Sequence, residues 1–242
     1  MKRLCRDAST AVKKGRDQVT ALESNIIQSA IGTAATPVIA DAIKILAPFA
    51  STDETRFVIN RICFECGPDG QQVAVATTGK VMAILRGDYG LTHDPEKATR
   101  VLYNTNSVRE LEPMEYPQWK QVVPRECIEE IAIRVDDMLP ALRKVSITRS
   151  VKSYTVNMTI ANNTLMLACN DPDVGQSVVS TGVKYNGKTR CAAYNLDYLS
   201  TIFTAAKKLG ENEMMLRFTD ELSPAVFTAG NLWCVLMPMR MS

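Results

Sequence analysis

Residues 232–241 have the sequence LWCVLMPMRM, in which an apolar run typical of a strand leads into a proline flanked by methionines. Unbranched thioether side chains adapt to irregular apolar partners, so methionines in such a run favour an adaptable binding groove. An edge strand whose methionines belong to the core explains the same pattern. The stretch therefore predicts a final strand followed either by a groove wall or by more core.

One helix followed by three strands occurs three times before and within this stretch. The helices are predicted to begin at Thr36, Asp136 and Asn195, which are residue types that cap helix N-termini. The strands are predicted at residues 56–66, 73–77 and 80–85, at 154–160, 165–169 and 177–183, and at 214–219, 225–228 and 232–239. Alone, each unit exposes an apolar helix stripe, so the units should pack together, with helices on one side and sheets outside.

The apolar faces of these helices follow from the 3.6-residue period. The faces predicted to be buried are Val38, Ala42, Ile45, Leu46 and Phe49 in the first helix, Leu139, Leu142, Val145 and Ser146 in the second, and Leu199, Ile202, Phe203 and Ala206 in the third. Residues 87–125 interrupt the repeat with turn residues around one short helix predicted near residues 96–103. That region is a linker or a degenerate unit.

Composition places the chain among ordinary globular proteins. It has 242 residues, 46% of them hydrophobic and 22% charged, and no uncharged run apolar enough to span a membrane. Seven cysteines at scattered spacing favour free thiols in a reducing compartment, so we expect a cytoplasmic protein. The net charge of +2 is uneven, because residues 1–16 hold six cations and one aspartate. Such a basic arm contacts phosphate or is simply solvated.

The sequence offers little for catalysis or for metal binding. Cys63 and Cys66 have the two-residue spacing of a zinc ligand pair, but His93 is the only histidine. A nucleophile with a histidine base is disfavoured by the same count, and no glycine-rich phosphate loop is present. We expect a protein without catalytic residues, metal or cofactor.

Several motifs, in order along the chain, resemble the bacterial DNA polymerase III beta sliding clamp family. The closing run from Val235 to Met241 resembles the C-terminal signature of that family. The supporting stretches are residues 55–61, 75–83, 116–124, 142–146, 170–172, 195–199, 205–209 and 219–225. The resemblance covers roughly residues 36–86 and 115–242.

The resemblance implies a clamp fold, in which helices line a central hole, and a groove that takes short linear motifs of polymerase and clamp loader. An apolar floor with a few polar groups at its rim suits leucine or phenylalanine anchors. The groove residues carried over by position are Ile59, Thr77, Gly79, Lys80, Met82, Pro117, Gln121, Val122, Val235, Met237, Pro238, Met239, Arg240 and Met241.

The chain also departs from the family pattern. Thr78, Lys80 and Val81 replace acidic, histidine and arginine residues of the middle-domain loop, Gln121 replaces an arginine, and Ser242 extends the end. We therefore expect a different motif preference. The first domain of the family has no counterpart, so ring closure through that domain cannot be assumed.

The domain boundaries and the DNA contacts also follow from the resemblance. We expect an unassigned basic arm at 1–35, a partial middle domain at 36–125 with a degenerate segment at 87–115, and a C-terminal clamp domain at 126–242. Double-stranded DNA would be bound through its phosphates, independently of sequence. The cations implied are Lys44, Arg56, Arg143, Lys144, Arg149, Lys152, Lys207 and Lys208.

Two functions remain open at this point, and an unrelated enzyme is disfavoured. The first is a processivity factor that encircles DNA as a homo-oligomer and docks replication proteins. The second is a clamp mimic that keeps the groove, does not encircle DNA, and sequesters or recruits proteins with clamp-binding motifs. The oligomeric mass in solution distinguishes them.

Overall fold

The computed structural model of this chain describes residues 38–124, 127–149 and 154–240. In these ranges the helices are α1 at 38–46, α2 at Val135–Val145 and α3 at Leu196–Lys208. The strands are β1 Arg61–Cys66, β2 Gln72–Thr77, β3 Val81–Arg86, β4 Thr99–Asn104, β5 Glu110–Leu111, β6 Glu129–Arg134, β7 Thr155–Ala161, β8 Thr164–Asp171, β9 Gly175–Gly182, β10 Arg190–Asn195, β11 Glu213–Phe218, β12 Ala225–Ala229 and β13 Leu232–Leu236. The predicted arm at 1–35, the cap at Thr36, Lys152 and Met241 lie outside the described residues.

Two antiparallel sheets contain these strands. The larger has the order β5-β4-β1-β2-β3-β13-β12-β11-β6, and the smaller has the order β10-β7-β8-β9. Strand β3 pairs with β13, with Met82 opposite Val235. The first and third predicted units therefore share one continuous sheet, whereas the second unit builds the other. Among the described helices, none is long and apolar enough to cross a membrane.

The helices share one core with both sheets. Helix α2 contacts α3, and α3 contacts the 3-10 turn Ala47–Phe49 that follows α1. The core includes Leu46 of α1, Met138 of α2 and Phe203 of α3, together with residues of both sheets. The predicted α+β class, with repeated helix-and-sheet units and neighbouring helices, is confirmed.

The buried helix faces differ in part from the prediction. In α1, Ile39 and Ile43 are buried, whereas Val38 is 44% exposed and Ile45 is half-buried. In α2, Met138 and Ala141 are buried beside Leu142 and Val145, whereas Leu139 and Ser146 are half-buried. The predicted face of α3 is confirmed. The apolar period predicts the centre of a buried helix face only to within about one position. The neighbouring elements then decide which residues at its edges are covered.

A second apolar cluster lies on the opposite face of the large sheet. Side chains alternate between the faces of a strand, so Val75, Met82 and Val235 point away from the helices. Tyr116 and Trp119, from the segment before β6, cover them. Strands β1, β2, β3 and β13 are therefore buried on both faces, which explains their nearly continuous apolar sequences.

Four strands, β4, β5, β6 and β10, were not predicted from the sequence, and the structure of the irregular segment 87–125 was predicted wrongly in part. The helix predicted near residues 96–103 is wrong, because Thr99–Asn104 is strand β4 on the edge of β1. Residues Glu110–Leu111 form β5, so the segment 87–115 continues the sheet. Strands β6 and β10 also lead directly into α2 and α3. The sequences of these four strands predict a strand only weakly, and pairing with distant strands determines their conformation.

Three predicted boundaries also change. Arg56 belongs to the 3-10 turn Glu54–Arg56, so β1 begins at Arg61. Helix α2 begins at Val135 and has no side-chain cap, because the residue at the cap position is Arg134, whose guanidinium has no acceptor atom. The amide of Val135 donates to the carbonyl of Asn212 at 2.9 Å. Asp136 lies in its first turn instead, where a carboxylate still favours the helix dipole. The final strand ends at Leu236 rather than residue 239.

Candidate functional site

Three separate segments meet around an apolar cavity on the outer face of the large sheet. The segments are the β2–β3 turn around Gly79, residues 117–122, and β13 with the tail that follows it. The cavity has a volume of about 260 Å³ and almost wholly apolar walls. This is below the roughly 300–1,000 Å³ of typical small-molecule pockets, so it suits one or two side chains.

The turn between β2 and β3 is fixed by its own hydrogen bonds. The Thr77 hydroxyl donates to the carbonyl of Val81 at 2.8 Å and accepts the amide of Gly79 at 2.9 Å. Gly79 has a φ of +87°, a region that L-residues with a side chain rarely adopt. The turn therefore presents a rigid rim to the cavity, with exposed Lys80 beside it.

The tail after β13 divides between the two sheets. The amide of Met237 donates to the carbonyl of Lys80 at 2.9 Å, which keeps Met237 against the cavity. Two residues later the amide of Met239 donates to the carbonyl of Ala193 in β10 at 2.7 Å. The two methionines thus have different surroundings, and Met237 alone of the pair lines the cavity.

The structure brings nine of the fourteen predicted groove residues together. Those lining the cavity are Ile59, Thr77, Gly79, Lys80, Met82, Pro117, Val122, Val235 and Met237. Of the others within the described residues, Gln121, Pro238, Met239 and Arg240 do not line it. Val81 and Trp119 line it and were missed. Trp119 could have been found, because a tryptophan in a turn-rich segment between strands needs an apolar surface to cover.

A buried carboxylate holds Trp119 in place. Glu65 in β1 is 1% exposed, and its Oε2 accepts the indole N–H of Trp119 at 3.3 Å and the Nε of Arg100 at 2.7 Å. The Nζ of Lys120 lies 2.8 Å from its Oε1. Burial pushes the pKa of Glu65 upward, but Lys120 and Arg100 outweigh it and hold that pKa below its ordinary value. The carboxylate therefore stays ionised and orients one wall of the cavity.

The cysteine pair does not form a metal centre. Cys63 points to the outer cluster and Cys66 to the helix side of β1, because odd and even strand positions face opposite ways. Burial, and then the charge of Glu65, raise the pKa of the Cys63 thiol to about 12. His93 Nε2 lies 2.9 Å from the carbonyl oxygen of Pro68. No group of three or more metal-ligating side chains occurs in the described part of the chain.

The predicted DNA-contacting cations of the helices are partly ion-paired. Two ion pairs link α2 and α3, from Lys207 at the end of α3 to Asp136 in the first turn of α2 at 2.8 Å, and from Arg149, just after α2 and its 3-10 turn, to Asp197 in the first turn of α3 at 2.5 Å. Lys44 pairs with Asp41 at 2.9 Å within α1, and Arg56 lies 3.6 Å from Asp53. Those with no ion pair to another described residue are Arg143, Lys144 and Lys208, all exposed.

Comparisons of the sequence with known proteins all indicate the same family. The family model for the DNA polymerase III beta subunit, C-terminal domain, matches residues 120–240. The beta sliding clamp of Synechocystis sp. is 23% identical over 241 residues, covering 79% of this chain and 61% of that protein. That of Chlamydia muridarum is 24% identical over 139 residues, covering 57% of this chain and 37% of that protein. The chain thus spans less than two thirds of these relatives.

Solved clamp structures share the fold. The DNA polymerase sliding clamp of Pseudomonas aeruginosa superposes with a TM-score of 0.73 at 17% identity, covering 83% of this chain and 64% of that one. The beta subunit of Thermotoga maritima gives 0.70 at 18% identity, covering 86% and 65%. The predicted resemblance is confirmed. With the family model matching half of its length, and with the clamp fold throughout the aligned region, this chain belongs to the DNA polymerase III beta subunit family.

Proposed function

We propose that this chain is a non-catalytic clamp subunit that assembles around double-stranded DNA as a homo-oligomer in the cytoplasm and holds a replicative polymerase or a clamp loader through short linear motifs. Membership of the family supports the processivity role. The observation that carries the docking part is the apolar cavity between Gly79, Pro117 and Met237. Its size and walls suit the leucine or phenylalanine anchor of a docked peptide.

The mouth of the cavity supports docking from solvent. Val122 is 50% exposed and Met237 is 40% exposed, although both are apolar. Below them, Met82 and Val235 are nearly fully buried and continue into the outer cluster. An anchor side chain that entered the cavity would cover the exposed pair and rest on a rigid floor. This combination of a preformed floor and an exposed rim is typical of anchor pockets.

Replacing Met237 with Ala should weaken the binding of a peptide with a leucine–phenylalanine anchor about tenfold. The variant removes an apolar cavity wall, and a tenfold change corresponds to about 1.4 kcal/mol, near the cost of losing one or two buried methylene groups. Titration calorimetry of the folded variant measures the affinity. Because Met237 is 40% exposed, the fold should tolerate the change.

The matched control is Met239→Ala in the same tail. Met239 lies against Ala193 rather than in the cavity, so its replacement should leave peptide affinity within about twofold of the wild-type value. Equal losses in the two variants would contradict the assignment of the docking cavity. An unchanged affinity in Met237→Ala would contradict it as well.

DNA encirclement leads to a second prediction. The protein should be retained on nicked circular DNA, should slide off linear DNA of the same sequence, and should be released as salt rises. In Lys144→Ala/Lys208→Ala, the slope of log binding constant against log salt should fall by roughly two units, if each lysine neutralises one phosphate. The measurement is gel filtration of protein with each DNA form over a salt series.

The control pair for this test is Lys97→Ala/Lys184→Ala. Both lysines are exposed and lie outside the helices, so they should leave the slope unchanged. Light scattering of the free protein should give a mass of several copies. A monomer that is not retained on circular DNA would overturn the ring and leave the docking cavity as the functional element.

That outcome corresponds to the second candidate function, a clamp mimic that binds clamp-docking motifs without enclosing DNA. One observation favours it. The described parts of the three helices carry Lys44, Arg143, Lys144, Lys207 and Lys208 against four aspartates, Asp41, Asp136, Asp137 and Asp197, so their net charge is close to neutral. Two of these lysines are bound in ion pairs with aspartates. A nearly neutral helix layer attracts DNA weakly.

A further inference from the structure

A second cavity lies on the same outer face of the large sheet and shares Trp119 with the docking cavity. Its volume is about 280 Å³. Its apolar walls include Val73, Ile84, Trp119 and Trp233. Charged side chains Asp69, Arg86 and Lys120 lie at its rim, and Glu65 lies beneath. None of the predicted groove residues lines this cavity.

The two cavities lie side by side along strands β3 and β13. Met82 pairs with Val235 at the docking cavity, and two residues further along, Ile84 pairs with Trp233 at the second cavity. Side chains two residues apart on one strand face are separated by roughly 7 Å. A peptide lying extended along β3 and β13 with its anchor in the docking cavity would therefore reach the second cavity within two to four residues.

Arg86 is the charged group that would give this second cavity a preference for acidic ligands. Its guanidinium lies 4.4 Å from the centre of the Trp233 ring, which orients it across the rim. Arg86 forms no ion pair with another residue in the described part of the chain. The other cation at the rim, Lys120, pairs with Glu65, and the Asp69 carboxylate accepts the amide of Gln71. The rim thus offers one available cation.

We propose that the second cavity is a subsite for the same docked peptide, taking an apolar side chain next to an acidic residue located two to four positions from the anchor. The apolar side chain lies between Ile84 and the two tryptophans, and the acidic residue pairs with Arg86. The proposal rests on the proposed docking function. It adds a specificity element that selects among peptides with equal anchors.

Intrinsic fluorescence reports on both cavities. Of the two tryptophans in the chain, Trp119 lines both cavities, whereas Trp233 lines the second cavity and not the docking cavity. The probes are a tryptophan-free hexapeptide with one leucine–phenylalanine anchor and two extended peptides. Each extended peptide carries an additional leucine with a neighbouring glutamate. In one peptide this pair lies three positions before the anchor, and in the other it lies three positions after it. We expect one extended peptide to bind about tenfold tighter than the hexapeptide and to shift the tryptophan emission further.

In Arg86→Gln, the affinity ratio between that extended peptide and the hexapeptide should fall to about threefold or less, because the acidic residue loses its partner. A lysine in place of the peptide glutamate should have the same effect on wild-type protein. The matched control, Arg109→Gln, removes an exposed arginine at the β4–β5 turn that lines neither cavity, and should keep the full ratio.

The outcomes separate this proposal from the docking function. If all three peptides bind wild type equally, the subsite is overturned and docking stands. If the gain survives in Arg86→Gln, the subsite is also overturned. If an extended peptide binds in an Arg86-dependent manner but is insensitive to Met237→Ala, the subsite stands and the docking cavity is overturned. If no peptide binds, both are overturned.

Discussion

Replacing Glu65 with Ala is expected to lower the free energy of unfolding by about 3 kcal/mol, because a buried carboxylate joins three partners from distant parts of the chain. The side chain is 1% exposed and links β1 to Arg100 of β4 and to Trp119 and Lys120 of the covering segment. Its removal leaves the Trp119 N–H unpaired beside a void. Urea unfolding followed by far-ultraviolet circular dichroism measures the loss.

The effect of Glu65 should also depend on pH in a defined direction. Its pKa in the folded protein lies below the ordinary value of 4.5, so its contribution is fully present above pH 4.5 and is lost as the pH falls through the lower folded value. The stability difference between wild type and Glu65→Ala should therefore shrink in acid. A difference that stays constant down to pH 2 would contradict the ion pairs.

The control for Glu65 is Glu213→Ala at the exposed start of β11. Glu213 forms no ion pair with another described residue, so this variant should stay within about 0.5 kcal/mol of wild type. If the two variants lose equal stability, the buried cluster does not hold the covering segment. Peptide affinity offers a second readout, because only Glu65 positions a wall of the docking cavity.

Replacing Phe203 with Ala is expected to cost about 3–5 kcal/mol, the largest loss among the variants considered. Phe203 is fully buried in α3, and its ring meets Phe227 of β12 edge-on at 5.9 Å between centroids. This contact joins the helix layer to the large sheet. Its loss leaves a cavity that the rigid sheet cannot close. Denaturant or thermal unfolding measures the change.

Thr204→Ala is the matched control one residue further along α3. Thr204 is exposed, and its hydroxyl donates to the carbonyl of Ser200 within the helix. Its replacement should change stability by less than about 0.5 kcal/mol. A loss below about 1 kcal/mol in Phe203→Ala would contradict the packing of α3 on the large sheet.

Elements with a strong local signal were predictable from sequence. The cap of α3 is one, since the Asn195 side chain accepts the amides of Asp197 and Tyr198 as the residue type predicts. The hairpin from β2 to β3 is another, because Gly79 sits in the left-handed region. Strand β4 was not predicted because its strand conformation depends on pairing with β1. In that pairing Glu65 lies opposite Arg100, which is 35 residues later in the sequence. The burial of Glu65 was missed for the same reason.

Sequence by itself determined the alternation of helix and strands, the capping of α3, and the apolar character of the residues that line the cavity. These depend on local period and on residue type, which the chain carries everywhere. Only the tertiary structure decided which tail methionine lines the cavity. The amide of Met237 donates to the carbonyl of Lys80 in the β2–β3 turn of the large sheet, and the amide of Met239 donates to the carbonyl of Ala193 in the small sheet, because the chain passes between the sheets after Leu236. Such a change of partner is set by where distant strands lie.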